Sequence, residues 1–588
     1  MRINDFFMKY DVGVNIENAM HEHFKCDAIH VQDQTYTYSE LYSRSDIIRN
    51  VINEVVTANN QFIGILCYRS IDAYAGIVGT LFSKNAYLPL NPFHPIEKIN
   101  KILITSECKT IILAEEAADT FSKLSSLVVG LTVICPTPGE KIKNLVKSNL
   151  NHTFILPDNF STCVVDKSAV KKDDPAYLMF TSGSTGNPKG IVVSHKNLYS
   201  YITYIVKKYK FSSSDRISQA PDISFDLSIQ DLFSAFFSGA CLFVLPKKSM
   251  MAPHRYINEK RLTVWTSVPS VGIFMDNMKQ LTANSLSTLR CSLFCGEGLP
   301  CDIATKWKIA APNSKVVNFY GPTEATVMFM SYSWEVADNT QNCFNGLVSI
   351  GKPFNKMKIK LIQKGQEVFE GDVGEICVHG EQVIQGYFQN DSLTKEKFIK
   401  FAGDESEIWY RTGDLAKKLK DGNYVFIGRT DDQLQVRGNR VEMLEIDKVI
   451  RDAIGHQMAV SIPVTSKGNK NVAEDIVAFV ENKEQMISEN KILEDCSHVL
   501  PDYMVPSKIY FIDAMPLNQN GKIDKKKLSN QLSNIEKEVV RSIDQAIVCN
   551  TCLKSLSEDE KLEGFGMLKI VKHNGQDGHI CHVCLKGF

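Results

Sequence analysis

Short apolar runs rich in β-branched residues punctuate the first two thirds of the chain and read as strands. Phe62–Leu66, Thr110–Leu113 and Leu242–Leu245 are examples, bounded by polar or turn-forming residues. Stretches with helical spacing lie between them. From about residue 28 to 380 this alternation predicts α/β layers with parallel strands. Residues 358–380 read as β-rich, with Gly371-Asp372 as a turn. The segment Asp421–Asp431 marks a domain boundary, and residues 432–527 read as a smaller α+β unit. A polar helical stretch over 528–547 then leads into a cysteine-bearing tail. The expected organisation is a large multi-layer N-terminal α/β domain over 1–430, a small α+β domain over 431–527 and a tail over 528–588. No internal repeat or low-complexity segment is visible.

Composition changes this picture little. A chain of 588 residues accommodates two to four domains. A net charge of −1 argues against a general nucleic-acid or acidic-membrane surface. The first residues, Met1–Phe7, lack the apolar core of a signal peptide, and no apolar run is long enough to span a bilayer. A cytoplasmic protein without membrane insertion is therefore expected. Its sixteen cysteines are spread along the chain and read mostly as buried thiols, the last four excepted.

The richest local chemistry follows the apolar run Pro175–Phe180. Thr181-Ser-Gly-Ser-Thr-Gly-Asn-Pro-Lys-Gly190 joins hydroxyls, glycines and one lysine. Glycines let a backbone approach an anion, hydroxyls and N–H groups donate to it, and Lys189 supplies charge. Pro188, five residues after Gly183, breaks the Walker A spacing. A flexible linker has similar composition, but the strand-like run and the lysine favour polyphosphate.

Four further segments follow in order: Phe319-Tyr-Gly-Pro-Thr-Glu-Ala-Thr326, Tyr410-Arg-Thr-Gly-Asp-Leu415, Gly428–Glu442 and Pro516-Leu-Asn-Gln-Asn-Gly-Lys-Ile-Asp524. Together with the loop they resemble the acyl- and aminoacyl-adenylate-forming superfamily over roughly residues 20–527. The set is most similar to stand-alone amino-acid adenylation enzymes and the adenylation domains of nonribosomal peptide synthetases. Phe225-Asp-Leu-Ser, Val264–Ser270, Leu293–Pro300 and Tyr320–Val327 resemble the D-alanine:carrier-protein ligase pattern.

The resemblance implies attack of a substrate carboxylate on the α-phosphorus of ATP, giving an acyl-AMP and pyrophosphate. Both reactants are anions, so positioning, placed positive charge and Mg²⁺ should supply most of the catalysis. It further implies that Lys522 bridges carboxylate and phosphate, although a solvated turn lysine is the plainer reading. Glu324 matches the Mg²⁺-binding carboxylate. Thr181, Ser182, Gly183, Ser184, Thr185, Gly186, Lys189, Gly321 and Thr323 match the phosphate-binding segments, with Thr185 also near the metal. Tyr320 matches the ring stacked on adenine and Asn318 its edge contact. Asp414 is expected at the ribose, with a cap or turn as its plainer reading, and Arg429 at the ribose or phosphate. Asp431 is the implied hinge. After it swings, Arg437-Gly-Asn-Arg440 replaces Lys522, and Gly438 lets a pantetheine arm pass close to the backbone. The chain holds no Gly-Gly-x-Ser carrier signature, so the expected acceptor is a separate phosphopantetheinylated carrier protein.

For the substrate pocket the resemblance implies Asp226, Leu227, Gln230, Ser270, Leu293, Cys295, Phe319, Val327 and Met328. Asp226 is expected to hold an ammonium group. Gln230 departs from the usual apolar residue: either the substrate is polar there, or the protein satisfies the amide internally. A small neutral amino acid is expected: alanine of either hand, proline or serine. In the tail, Cys549-Asn-Thr-Cys552 and Cys581-His-Val-Cys584 form two knuckles and predict a structural, zinc-ribbon-like Zn²⁺ site. Competing readings are an acid:CoA ligase of the same fold and a non-catalytic adenylate-binding scaffold.

Overall fold

The structure is a computed structural model. Residues 1–9, 57, 59, 149–150, 158–168, 182–187, 337–341, 431–432, 437, 456–457, 466–471, 482–486, 517–522, 545–547, 550–553, 556–569, 574–575 and 580–588 lie outside its described part. Two compact units are distinguished: Met1–Ala478 with Gln485–Ile509, and Phe479–Glu484 with Tyr510–Phe588.

Two parallel-centred sheets dominate the first unit. One runs Thr153–Ile155, Thr132–Ile134, Thr110–Leu113, Phe62–Leu66, Ala86–Leu90, Pro175–Thr181 and Lys189–Ser194, antiparallel only at its last pair. The other has nine strands. Its parallel heart is Lys315–Tyr320, Cys291–Phe294, Val264–Ser267, Arg216–Gln219, Cys241–Val244 and Asp27–Val31. The strand predicted at Leu242–Leu245 is observed at Cys241–Val244.

Parallel sheets need cover on both faces. Helix Ile71–Phe82 packs on Phe62–Leu66 and Ala86–Leu90, and all twelve of its residues are buried. Leu227–Ser238 packs on Arg216–Gln219 and Cys241–Val244 with ten of its twelve residues buried. Helices buried on nearly every side belong inside a multi-layer core. The β-rich stretch expected at 358–380 is observed as Met357–Gln363 and Val373–Gly380, in an antiparallel sheet with Asp404–Lys418 and Tyr424–Arg429. Gly371 takes the turn between them at φ +92, a conformation that favours glycine.

A smaller sheet includes Asn439–Glu442, Gln433–Val436, Val472–Glu481 and Ala459–Thr465, with helix Met443–Ile454 against it. The architecture is the mixed α/β one expected, with a large N-terminal part and a smaller α+β part. In the second unit, helix Lys525–Asp544 precedes four short tail strands. No helix among the described residues is long and apolar enough to cross a membrane.

One departure concerns the thiols. Cys301, which opens helix Cys301–Ala310, is bonded to Cys343, with Cα atoms 6.5 Å apart. That separation lies in the range a disulfide spans. The spacing of forty-two residues gave no sign of the pairing.

Candidate active site

Strand Lys315–Tyr320 leaves the carboxyl end of the parallel core and enters Gly321-Pro322 and the single turn Thr323–Ala325. Ligand crevices form at such strand ends. A Cβ on Gly321 would lie 2.4 Å from Met328 Cα, so only glycine permits this close return. Val327 then sits at φ +68, a strained conformation for a β-branched residue.

Asn318, Tyr320, Asp414 and Arg429 converge here from three strands. The Tyr320 hydroxyl donates to Asp414 Oδ2 at 2.5 Å, and Arg429 also donates to Asp414, its register partner across the sheet. Asn318 Nδ2 donates to the carbonyls of Val348 and Ser349 at 3.2 and 3.0 Å. These bonds fix the amide orientation and leave Oδ1 buried without a hydrogen-bond partner among the described residues. An acceptor left so is open to a donor on a ligand.

The same cavity is lined by Phe225, Asp226, Leu227, Cys295, Phe319 and Val327. Asp226 precedes helix Leu227–Ser238 in helical conformation, and its side chain makes no capping bond to the first turn. It is 8% exposed and borders a second cavity as well. Burial pushes the Cys295 thiol far up, so it stays protonated and apolar in character. Leu293 and Met328 are fully buried behind this wall. Ser270 is half-buried, and its N–H donates to Glu297 Oε2 at 2.8 Å.

The alternatives for Gln230 are resolved. Its Oε1 accepts from the Tyr201 hydroxyl at 2.6 Å and its Nε2 donates to Ser234 at 3.0 Å, all fully buried. Gln230 is satisfied by the protein and does not line the cavity.

Thr181 ends its strand at the second cavity, and Thr323 borders both. Residues 182–186 lie outside the described part, as do Asp431, Arg437, the Arg440 side chain and Lys522. Lys189 Nζ meets Glu442 Oε1 at 2.9 Å. Gly438 sits at φ +80 against Val268, where a Cβ would lie 2.4 Å from Val268 Cγ1. The Gly438 N–H also donates to Glu297, whose acidity is weakened mainly by burial. Glu297 lies within Leu293–Pro300 and is a site residue that the motif pattern alone does not single out; its place between two glycines is the available signal.

The second cavity runs past Phe93, His94, Lys98, Asn439 and Tyr503 to Asp226. Burial pushes His94 down to about 3 and Lys98 down to about 8, with Glu445 opposing the latter.

Glu324 is fully buried and accepts from the Tyr387 hydroxyl at 2.7 Å. One oriented carboxylate, next in sequence to Thr323 at both cavities, fits Mg²⁺, which takes most of its other ligands from water and phosphate. No group of three or more potential ligands forms a metal cluster among the described residues. In the tail only Cys549, on strand Val548–Cys549, falls within them. Cys552, Cys581 and Cys584 do not.

Comparison with known proteins gives consistent matches. The AMP-binding enzyme model matches residues 17–388, and the AMP-binding enzyme C-terminal domain matches 452–522. Gramicidin S synthase 1 of Brevibacillus brevis is 29% identical over 505 residues, 85% of this chain and 42% of that one. Bacitracin synthase 3 of Bacillus licheniformis is 30% identical over 86% of this chain and 7% of its own length. This chain thus spans less than half of either relative. The Vibrio cholerae adenylation domain AlmE, solved with glycyl-adenosine-5'-phosphate, superposes with a TM-score of 0.80 at 30% identity, covering 89% of this chain and 98% of that one.

Proposed function

The chain belongs to the AMP-binding enzyme family, and from that premise we propose that it activates a small neutral amino acid as its aminoacyl-adenylate and passes it to the phosphopantetheine thiol of a separate carrier protein. The observation that carries this reading is Asp226: a buried acid on an otherwise mostly apolar wall, at the meeting of two cavities. A buried ammonium requires a partner of this kind, and an aryl or aliphatic acid does not.

In this reading Asn318 Oδ1 accepts the adenine amino group, Tyr320 covers the ring, and Asp414 with Arg429 takes the ribose. Thr181, Thr323, Lys189 and the loop 182–186 hold the phosphates. When bound, Mg²⁺ neutralises phosphate charge and is held by Glu324. The substrate carboxylate attacks the α-phosphorus, pyrophosphate leaves, and Lys522 offsets the developing charge. The carrier's thiolate sulfur then attacks the acyl carbon and AMP departs, with the Gly438 hairpin in the pocket and the pantetheine arm along the second cavity. The hinge for this change is Asp431, between a core over 1–430 and a mobile domain over 431–527. Alanine, proline and serine suit the pocket, and the glycyl-adenylate bound by AlmE adds glycine.

A structural zinc in the tail is a further part of this reading. Val548–Cys549 and Gln576–His579 are parallel neighbours, with Cys549 opposite His579. The strands leading into the two C-x-x-C knuckles therefore run side by side in the same sense. Metal analysis of the purified chain tests it: one bound zinc supports the reading and none removes it.

Pyrophosphate exchange into ATP with Mg²⁺ tests the main proposal, using glycine, both alanines, L-proline and L-serine beside Asp226→Ala and Lys522→Ala. Exchange with one or two of them, weakened by both substitutions, is expected. Turnover with aryl or fatty acids and none with amino acids would overturn it in favour of an acid:CoA ligase.

A further inference from the structure

Lys189 has two claims on its charge. In the reading above it holds the phosphates of ATP, yet in this structure its ammonium is bonded to Glu442, 253 residues away. The pair is secluded, with the lysine side chain 11% exposed and the glutamate 7%. Lys189 opens the strand that directly follows the phosphate loop. Glu442 closes Asn439–Glu442, the strand of the hairpin that starts just after Gly438, and precedes helix Met443–Ile454. The ion pair thus ties the phosphate corner to the segment that brings Gly438 against Val268 and Glu297.

A secluded carboxylate and a polyphosphate are rivals for one ammonium. With both beside it, two anions face each other at low dielectric, which is strongly unfavourable. Lys189 can therefore serve Glu442 or a polyphosphate, but not both at full strength. Resting on the proposed two-step reaction, we propose that Glu442 is a positioning residue: it captures Lys189 after pyrophosphate leaves and so holds the Gly438 hairpin in place for thioester formation. Polyphosphate entering the site reclaims Lys189 and releases the hairpin. The pair thereby links the order of the two steps to occupancy of the phosphate corner.

The test uses the full chain with Glu442→Gln and Glu442→Asp, following two rates. One is pyrophosphate exchange with the amino acid that the wild type activates. The other is aminoacyl transfer to free pantetheine. Glu442→Gln keeps size and hydrogen bonding but removes the charge. Transfer is expected to fall about tenfold or more, as breaking a secluded ion pair does, while exchange stays within about twofold. Glu442→Asp, which keeps the charge, should recover part of the transfer rate. Equal loss of both rates, or no loss of transfer, overturns the proposal.

Hydrogen–deuterium exchange provides a readout independent of turnover. In the wild type, magnesium pyrophosphate should raise exchange across 439–454, and Glu442→Gln should show the raised level without it. Unchanged exchange in that segment overturns the latch whether or not any amino acid is activated. A silent amino-acid panel, by contrast, overturns the proposed function.

Discussion

Phe319 stands on a strand of the packed sheet, Leu227 opens a buried helix, and Cys295 and Val327 lie in the turns that follow strands Cys291–Phe294 and Lys315–Tyr320; all four are nearly inaccessible, whereas Lys189 and Glu442 meet across 253 residues through an ion pair. The first group is held by core packing that admits little movement. The second includes a reversible electrostatic contact. A pocket wall built into the core suits discrimination between substrates, and a contact that an anion can displace suits a step that must open and close. The protein thus combines a rigid selector with a switchable ion pair, and substitutions should separate them.

The largest effect is expected on the rigid side. Asp226→Ala should lower kcat/KM for the amino acid by about 3–5 kcal/mol, the loss seen when one member of a buried charge pair is removed. The KM for ATP should hardly move, and exchange kinetics with each substrate varied in turn checks both. Equal loss for ATP and amino acid would erase the distinction drawn here.

Gly438→Ala probes the other side. Its Cβ would meet Val268 at 2.4 Å from a backbone at φ +80. The overpacking should cost about 1–3 kcal/mol in thioester formation. The loss in exchange should be smaller, and single-turnover transfer to pantetheine separates the two. A larger loss in exchange would mean that the hairpin belongs to the adenylation step.

Gln230→Leu sharpens the selector. The Tyr201 hydroxyl loses its acceptor and Ser234 a donor, at about 1–3 kcal/mol of stability. Denaturant unfolding should register this, while the ranking of amino acids in exchange stays fixed. A changed ranking with intact stability would return Gln230 to the pocket wall.

These residues also mark how far the sequence could be read. The alternation of strands and helices announced the layered core, and ordered motifs gathered Tyr320, Asp414 and Arg429 from distant strands into one place. Local pattern carries such information because it reflects strand periodicity and turn chemistry. The partners of Gln230 and Lys189 were not legible. Tyr201 lies on another helix and Glu442 in the small sheet, and no spacing rule records which faces meet. The bond between Cys301 and Cys343 escaped for the same reason.

The smallest predicted effect concerns pH and lies away from the cavity. His195 is fully buried, and its Nδ1 accepts from the Val12 N–H at 3.1 Å. It opens helix His195–Tyr209, and Val12 opens helix Val12–Glu22. A cation here would face the positive ends of two helices and forfeit the accepted bond. Burial pushes this histidine from its ordinary 6.5 down to about 3. Between those values the unfolded chain binds a proton that the folded chain refuses, so stability is lost as pH falls below 6.5. The loss by pH 5 should be on the order of 1–2 kcal/mol from this residue. Unfolding midpoints between pH 7 and 5, compared with those of His195→Gln, measure it. The variant should be less stable at pH 7 but lose less on acidification. Parallel acid profiles would mean that His195 already carries its proton in the folded protein.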